Sequence, residues 1–175
     1  WYFPRISRYG RLYALCLCVM LPPSPKGSGV LFMYELVQVG PQSYYIQCPA
    51  KIGVWTPDGR HAVLIDSGND KEAGRKVRQV LDRQGWTLQA ILNTHSNADH
   101  IGGNKYLQAQ TGCKIFTNGA DVSFTRHPLL EPSFLYGGYP FAELRHKFLM
   151  AQDSDALDLH HPDFPAQIEV IPLPG

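Results

Sequence analysis

The chain has 175 residues, of which 44% are hydrophobic and 18% charged, ordinary values for one soluble domain, or part of a larger one, able to bury a core. Formal net charge is +1, but Arg5, Arg8, Arg11 and Lys26 stand without an acid in residues 1–32, so the remainder carries −3. A slightly acidic body argues against a nucleic-acid binder, which needs a concentrated basic surface, and no apolar run approaches the roughly 20 residues that span a bilayer.

Three arginines precede an apolar run over residues 12–21, which Pro22-Pro23-Ser24-Pro25 ends. A basic start, an apolar middle and a breaker form a signal-peptide pattern, but the chain begins at Trp1 and no small-x-small site follows Pro22. Residues 1–32 are therefore read as an upstream extension or artefact, and the folded domain as residues 33–175. Cys16, Cys18, Cys48 and Cys113 form no CxxC pair and no dense framework, which points to reduced thiols and a cytoplasmic location.

From Met33 onward, residues 35–39 and 43–47 read as strands joined at Gly40-Pro41, a hairpin. Residues 51–56 are a third strand, followed by turn chemistry at Pro57-Asp58-Gly59. Residues 61–66 are an apolar strand ending in Asp66-Ser67-Gly68. Asn69 then offers a helix cap with Glu72 in capping-box register, Ala73, Val77, Val80 and Leu81 recur at helical spacing, and Gly85 stops the helix. Its basic residues Arg75, Lys76, Arg78 and Arg83 interleave with Glu72 and Asp82, as on a solvated face. Residues 88–92 are a short buried strand running into Asn93-Thr94-His95. A helix over 101–110 ended by Gly112, a strand over 114–117, a helix over 141–151 with Phe141, Leu144, Phe148 and Leu149 on one side, an acidic loop over 153–163 and a strand over 168–173 complete the reading. Hairpins first and alternation later predict an α+β protein with a mixed sheet and flanking helices.

Chemistry concentrates in Thr94-His95-Ser96-Asn97-Ala98-Asp99-His100-Ile101-Gly102-Gly103-Asn104. Two imidazoles and a carboxylate fall within six positions, between a strand end and a helix start. Such residues suit zinc, with iron or manganese as alternatives, and a strand end lets ligands project into one cleft. Asp99 lies near a helix N-terminus, where the dipole favours its charged form. Gly102 and Gly103 permit close backbone approach.

This segment is similar to the His-x-His-x-Asp-His signature of the metallo-β-lactamase superfamily, in a His-x-Asn-x-Asp-His variant. Leu64-Ile65-Asp66-Ser67-Gly68 resembles the strand and aspartate that precede it in that family. The resemblance covers roughly residues 33–175 and implies an αββα sandwich with one or two metal ions at one edge. It implies a metal-bound hydroxide that attacks an ester, thioester, lactam or phosphoester. It further implies His95 as a ligand of a first metal, Asp99 and His100 as ligands of a second, and Asp99 also as the catalytic group that orients water and shuttles a proton. Asp66 would hydrogen-bond within the loop that holds the ligands.

The family's second histidine is Asn97 here, and an amide oxygen is a weaker ligand, so the first site is expected to be impaired. Pro174-Gly175 matches the context that precedes the family's third histidine, which implies a domain truncated before its later ligands and inactive as a fragment. The leading reading is a metal-dependent hydrolase in the style of thioesterases and glyoxalase II, acting on a small molecule, with no nucleic-acid or membrane partner and no oligomeric state implied. The alternative is a non-catalytic binding module on a degenerate form of the fold. An oxygen-binding diiron protein would require a carboxylate where Asn97 stands. His160 and His161 read as exposed and His61 as a strand residue without chemistry. His127 and the turn at Tyr136-Gly137-Gly138-Tyr139 form either a substrate-side insert or a loop packed by aromatics. Cys48 and Cys113 read as small core residues.

Overall fold

The computed structural model describes residues 2–6, 33–141, 143 and 151–172. Tyr2–Ile6 form β1, Glu35–Gly40 β2, Ser43–Gln47 β3, Ile52–Trp55 β4, His61–Ile65 β5, Thr87–Leu92 β6, Lys114–Thr117 β7, Ala156–Asp158 β8 and Ile168–Pro172 β9. The helices are α1 at Lys71–Gln84, α2 at Ala98–Ile101, α3 at Asn104–Thr111, α4 at Asp121–Arg126 and α5 at Leu130–Tyr136.

Strands β2 to β8 lie in chain order in one seven-stranded sheet. Pairing is antiparallel from β2 to β5 and parallel from β5 to β8, so the expected mixed sheet is present. Strand alternation makes both faces apolar. Ile52, Val54, Ala62, Leu64, Leu88, Ile91 and Ile115 pack with Val77, Val80 and Leu81 of α1 and Leu107 of α3. Trp55, Val63, Ala90, Leu92 and Phe116 belong to a second cluster, joined by Ile168 of β9. A helical layer thus covers one face, and the opposite face meets the segment that leads into β9. Within the stretch expected to stand apart, Tyr2–Ile6 pair antiparallel with Ile168–Pro172 as a separate two-stranded sheet.

One irregularity sets the geometry of β6. The parallel register steps from Ala62 opposite Leu88 to Val63 opposite Ala90, so Gln89 is an extra, exposed residue. An inserted residue reverses the parity of all that follows. Leu88 and Ile91, three apart, therefore share the helical face, while Ala90 and Leu92 share the other.

Helix α1 begins one residue later than expected. Asp70, not Asn69, is its cap: the backbone is extended there, and Oδ1 accepts a 2.7 Å bond from the Ala73 N–H. Glu72 pairs with Arg75 instead of closing a capping box, and Arg78 pairs with Asp82, as suits an exposed face. Gly85 ends the helix in the left-handed conformation. The helix expected over 101–110 is divided. Gly102 turns its N–H to the Gly68 carbonyl at 2.7 Å, so α2 stops and α3 starts afresh at Asn104.

Three further elements lie where the sequence suggested loops. Helices α4 and α5 have six and seven residues, too short for periodicity to reveal. Pro132 sits in the first turn of α5, where a missing N–H leaves no helical bond unmade. Strand β8 has only three residues and falls inside the acidic stretch read as loop. The helix expected over 141–151 falls mainly on residues outside those described; Phe141 itself is exposed and non-helical. Cys48 and Cys113 are free and buried, and burial pushes the Cys48 thiol up to about 11.

The cap on α1 gives a direct test. Asp70→Ala removes the acceptor for the Ala73 N–H and is expected to lower stability by about 1 kcal/mol, read from the midpoint of a urea unfolding curve.

Candidate metal centre

Three parallel strands, β5, β6 and β7, deliver their carboxyl ends to one edge of the sheet, where crossovers leave room for a ligand site. Asp66 follows β5, residues 93–100 follow β6, and Asp121 follows the turn after β7. The main chain of Asp66 is left-handed, with φ of 66°, a conformation rare outside glycine but accessible to aspartate. Its N–H donates to the Leu92 carbonyl at 2.9 Å, which ties the end of β5 to the end of β6.

The Asp66 carboxylate is buried and accepts three hydrogen bonds. Oδ1 takes the Thr94 N–H at 2.8 Å, and Oδ2 takes the Thr94 hydroxyl at 2.9 Å and His100 Nδ1 at 2.7 Å. These bonds decide both imidazole tautomers. His100 donates from Nδ1, which in its neutral form leaves the lone pair on Nε2. The Thr94 hydroxyl spends its proton on Asp66, so toward His95 Nδ1, 2.9 Å away, it accepts. His95 therefore carries its proton on Nδ1 and its lone pair on Nε2. One carboxylate orients both rings, whose centroids are 4.0 Å apart.

Ligand atoms of His95, Asp99 and His100 all lie within 4.8 Å of one another, the one such histidine, cysteine and carboxylate group among the described residues. His100 is buried, His95 partly so, and Asp99 is half-exposed, with Oδ2 3.4 Å from His100 Nε2. Burial and then the neighbouring His100 hold His95 below the usual histidine range. Burial opposes charge on His100 also, yet the hydrogen bond and charge of Asp66, with Asp99 adding, push it above its usual value. Two imidazole nitrogens and a carboxylate oxygen within one another's reach are donors that a divalent cation takes, so the residues present fit a metal.

The rest of the cradle is backbone and amide. The His100 carbonyl accepts from Ser67 N–H at 2.8 Å and from Asn93 Nδ2 at 3.2 Å, and Asn93 Oδ1 accepts from Asn104 Nδ2 at 2.8 Å. A methyl at Gly102 would overlap the Asn69 backbone, and one at Gly103 would overlap the Ser67 carbonyl. The two glycines expected to allow close approach do so against the loop leading into α1.

Asn97 heads α2 in extended conformation, and its carbonyl accepts from His100 N–H at 2.9 Å. Its residue is exposed and its side chain makes no capping bond. Sequence reasoning passed over Asp121, whose Oδ1 accepts from Ser96 N–H at 3.2 Å and Ser96 Oγ at 2.7 Å. Its placement just past the third parallel strand was the available signal. It also passed over Glu131 of α5, whose carboxyl burial, with the Asp99 charge adding, holds above its usual range. Three other histidines stand elsewhere: His61 pairs with Asp58 at 2.6 Å, His160 with Asp158 at 2.7 Å, and exposed His127 lies 3.3 Å from Asp153. Tyr136 and Tyr139 are exposed.

A mixed sheet with apolar faces and a His–Asp–His set at the ends of its parallel strands defines a metallohydrolase-type architecture. Residues 43–175 match the family profile described as the metallo-beta-lactamase superfamily, and the chain belongs to that family. Among similar proteins, a hydroxyacylglutathione hydrolase of Methylococcus capsulatus is 42% identical over 52 residues, 30% of this chain and 20% of that protein. Another from Nitrobacter hamburgensis is 50% identical over 44 residues, 25% and 17% of the two chains. The matched segments thus span about a fifth of these relatives. A crystal structure of the metallo-beta-lactamase SMB-1 bound to 2-mercaptoethanesulfonate aligns with a TM-score of 0.54 and 18% identity, covering 70% of this chain and 46% of that one. That likeness supports the fold. Among the described residues, no helix is long and apolar enough to cross a membrane.

The close approach at Gly102 is testable by its smallest perturbation. Gly102→Ala should destabilise the chain by about 2–3 kcal/mol, as overpacking against backbone does. Gly138→Ala, where an added methyl meets nothing within 4 Å, is the control and should leave the denaturation midpoint unchanged.

Proposed function

We propose that the natural protein is a metal-dependent thioester hydrolase acting on a hydroxyacyl thioester of glutathione or a similar small thiol. The convergence of His95, Asp99 and His100 ligand atoms within 4.8 Å carries this reading. Family membership and the names of the similar hydroxyacylglutathione hydrolases support it.

In this reading zinc is the resident ion, with iron or manganese as alternatives. His95 serves a first site through Nε2, and Asp99 and His100 serve a second. The ion, when bound, supplies Lewis acidity that polarises a carbonyl and lowers the pKa of water. The chain supplies the rest. Asp66 fixes the tautomers of both imidazoles, so each presents its Nε2 lone pair without rearrangement. Asp99, half-exposed beside His100, orients a water molecule and receives its proton at a carboxylate oxygen. In this reading residues 33–175 belong to the metal-binding domain, with residues 1–32 an extension to it.

Asn97 favours a second reading, a binding module without turnover, because an amide oxygen is a poorer zinc donor than imidazole. We assign it the lesser effect of weakening the first site. The natural protein should retain one metal firmly and a second loosely after gel filtration. Asn97→His should raise content toward two per chain, and His100→Ala should remove the firmly held ion. Two tightly held ions in the natural protein would show that the amide suffices. Hydrolysis of a hydroxyacyl-glutathione thioester that survives both chelator and His100→Ala would overturn the metal reading, and metal retention without any hydrolysis would favour the binding module.

A further inference from the structure

We propose that Asp121 is a positioning residue of the metal centre, which through Ser96 fixes the backbone between His95 and Asp99 so that both keep their places in it. The inference rests on the metal-binding reading above and names a residue that reading does not use.

Ser96 directly follows His95. It is buried, and both its N–H and its hydroxyl donate to the same oxygen of Asp121, at 3.2 and 2.7 Å. Residues 93–97 lie beyond the end of β6, so no strand pairing is available to hold Ser96. A buried N–H left without an acceptor costs about 1–3 kcal/mol, and a charged acceptor roughly doubles the strength of the bond that satisfies it. Asp121 is therefore the group that makes this loop conformation tenable at Ser96.

A clasp is only as firm as its mounting, and Asp121 is mounted firmly. Its own N–H donates to the Asn118 carbonyl at 2.8 Å. Five residues on, Arg126 Nε donates to the Ala156 carbonyl of β8 at 2.8 Å. Between them Thr125 is buried, and its carbonyl accepts from Ser154 Oγ at 3.4 Å. Helix α4 is thus tied to the sheet at the end far from the site, and Asp121 projects from it as a fixed point. His95 is then held on both sides, by Thr94 bonded to Asp66 and by Ser96 bonded to Asp121. Toward Asp99 the next residue, Asn97, is exposed and makes no side-chain capping bond, so Ser96 is the last side-chain anchor before the α2 ligands.

The experiment measures zinc affinity by competition with a chromophoric chelator, in the unsubstituted chain and in D121A, D121N, S96A and S96A/D121A. D121A should weaken zinc binding about 10- to 100-fold, the range for groups that orient ligands, while D121N, whose amide oxygen still accepts both bonds, should recover most of it. The double variant should be no weaker than D121A alone, since Ser96 is the route. In the metal-free chain, amide exchange at residues 96–99 should accelerate in D121A while β4 and β5 keep their protection. Unchanged zinc affinity in D121A overturns the inference. So does D121N as weak as D121A, which would assign the effect to charge, and so does loss of protection throughout the sheet. Absence of zinc binding by the unsubstituted chain defeats the metal reading and this inference together, a result distinct from equal binding by chain and variant.

Discussion

A buried carboxylate is tolerable only where its lone pairs are met, and Asp66 has three donors meeting it from one short stretch of chain. Those donors are a backbone N–H and a hydroxyl from the loop after β6 and an imidazole from α2, whereas Asp66 itself follows β5. The site therefore depends on an attachment between two neighbouring parallel strands made beyond their last ladder bond. The same contact explains why Asp66 sits in a left-handed conformation. Such a backbone costs about 1–3 kcal/mol where it is not compensated, and three charge-assisted bonds are of the size that compensates it.

Second to that attachment is the absence of side chains where helix meets loop. Gly102 and Gly103 bring the turn between α2 and α3 against residues 67–70, and the Gly102 N–H reaches the Gly68 carbonyl. The turn between α2 and α3 is thus stitched to the loop after β5 through main chain, and His100, whose carbonyl takes the Ser67 N–H, is held by its backbone as well as its ring. Both devices put rigidity close to the ligands and leave Asp99 half-exposed.

The parts of this arrangement legible in the sequence were those with local signals. The turn residues at Gly40-Pro41, the apolar run of β5 and the left-handed glycines at positions 85 and 112 each act through their own backbone, and the element end that each marks lies within a residue or two of its expected place. Motif spacing brought His95, Asp99, His100 and Asp66 to notice, and they lie together. What escaped was set by tertiary contact. Asp70 displaced Asn69 as the cap while the Asn69 backbone packs at Gly102. Helices α4 and α5 are stabilised by packing rather than by period. The role of Asp121 depends on the segments after β6 and β7 meeting 25 residues apart, a separation no local pattern encodes.

The extra residue at Gln89 has a consequence for how this chain tolerates changes of length. Leu92 reaches the face shared with Trp55 and Phe116 because the parity of β6 is reversed partway along. Everything after Leu92, including the residues that lead to His95, inherits that orientation. Losing Gln89 would leave regular alternation, with Leu88 and Ile91 still on one face and Ala90 and Leu92 on the other, so β6 can shorten by one residue there without turning the ligand loop over. The connection through α4 and α5 carries no such parity, and there a gain or loss of residues lengthens or shortens the path between β7 and β8 without inverting either. A one-residue deletion during divergence is therefore expected to be absorbed at the extra residue in one segment and by a change of reach in the other.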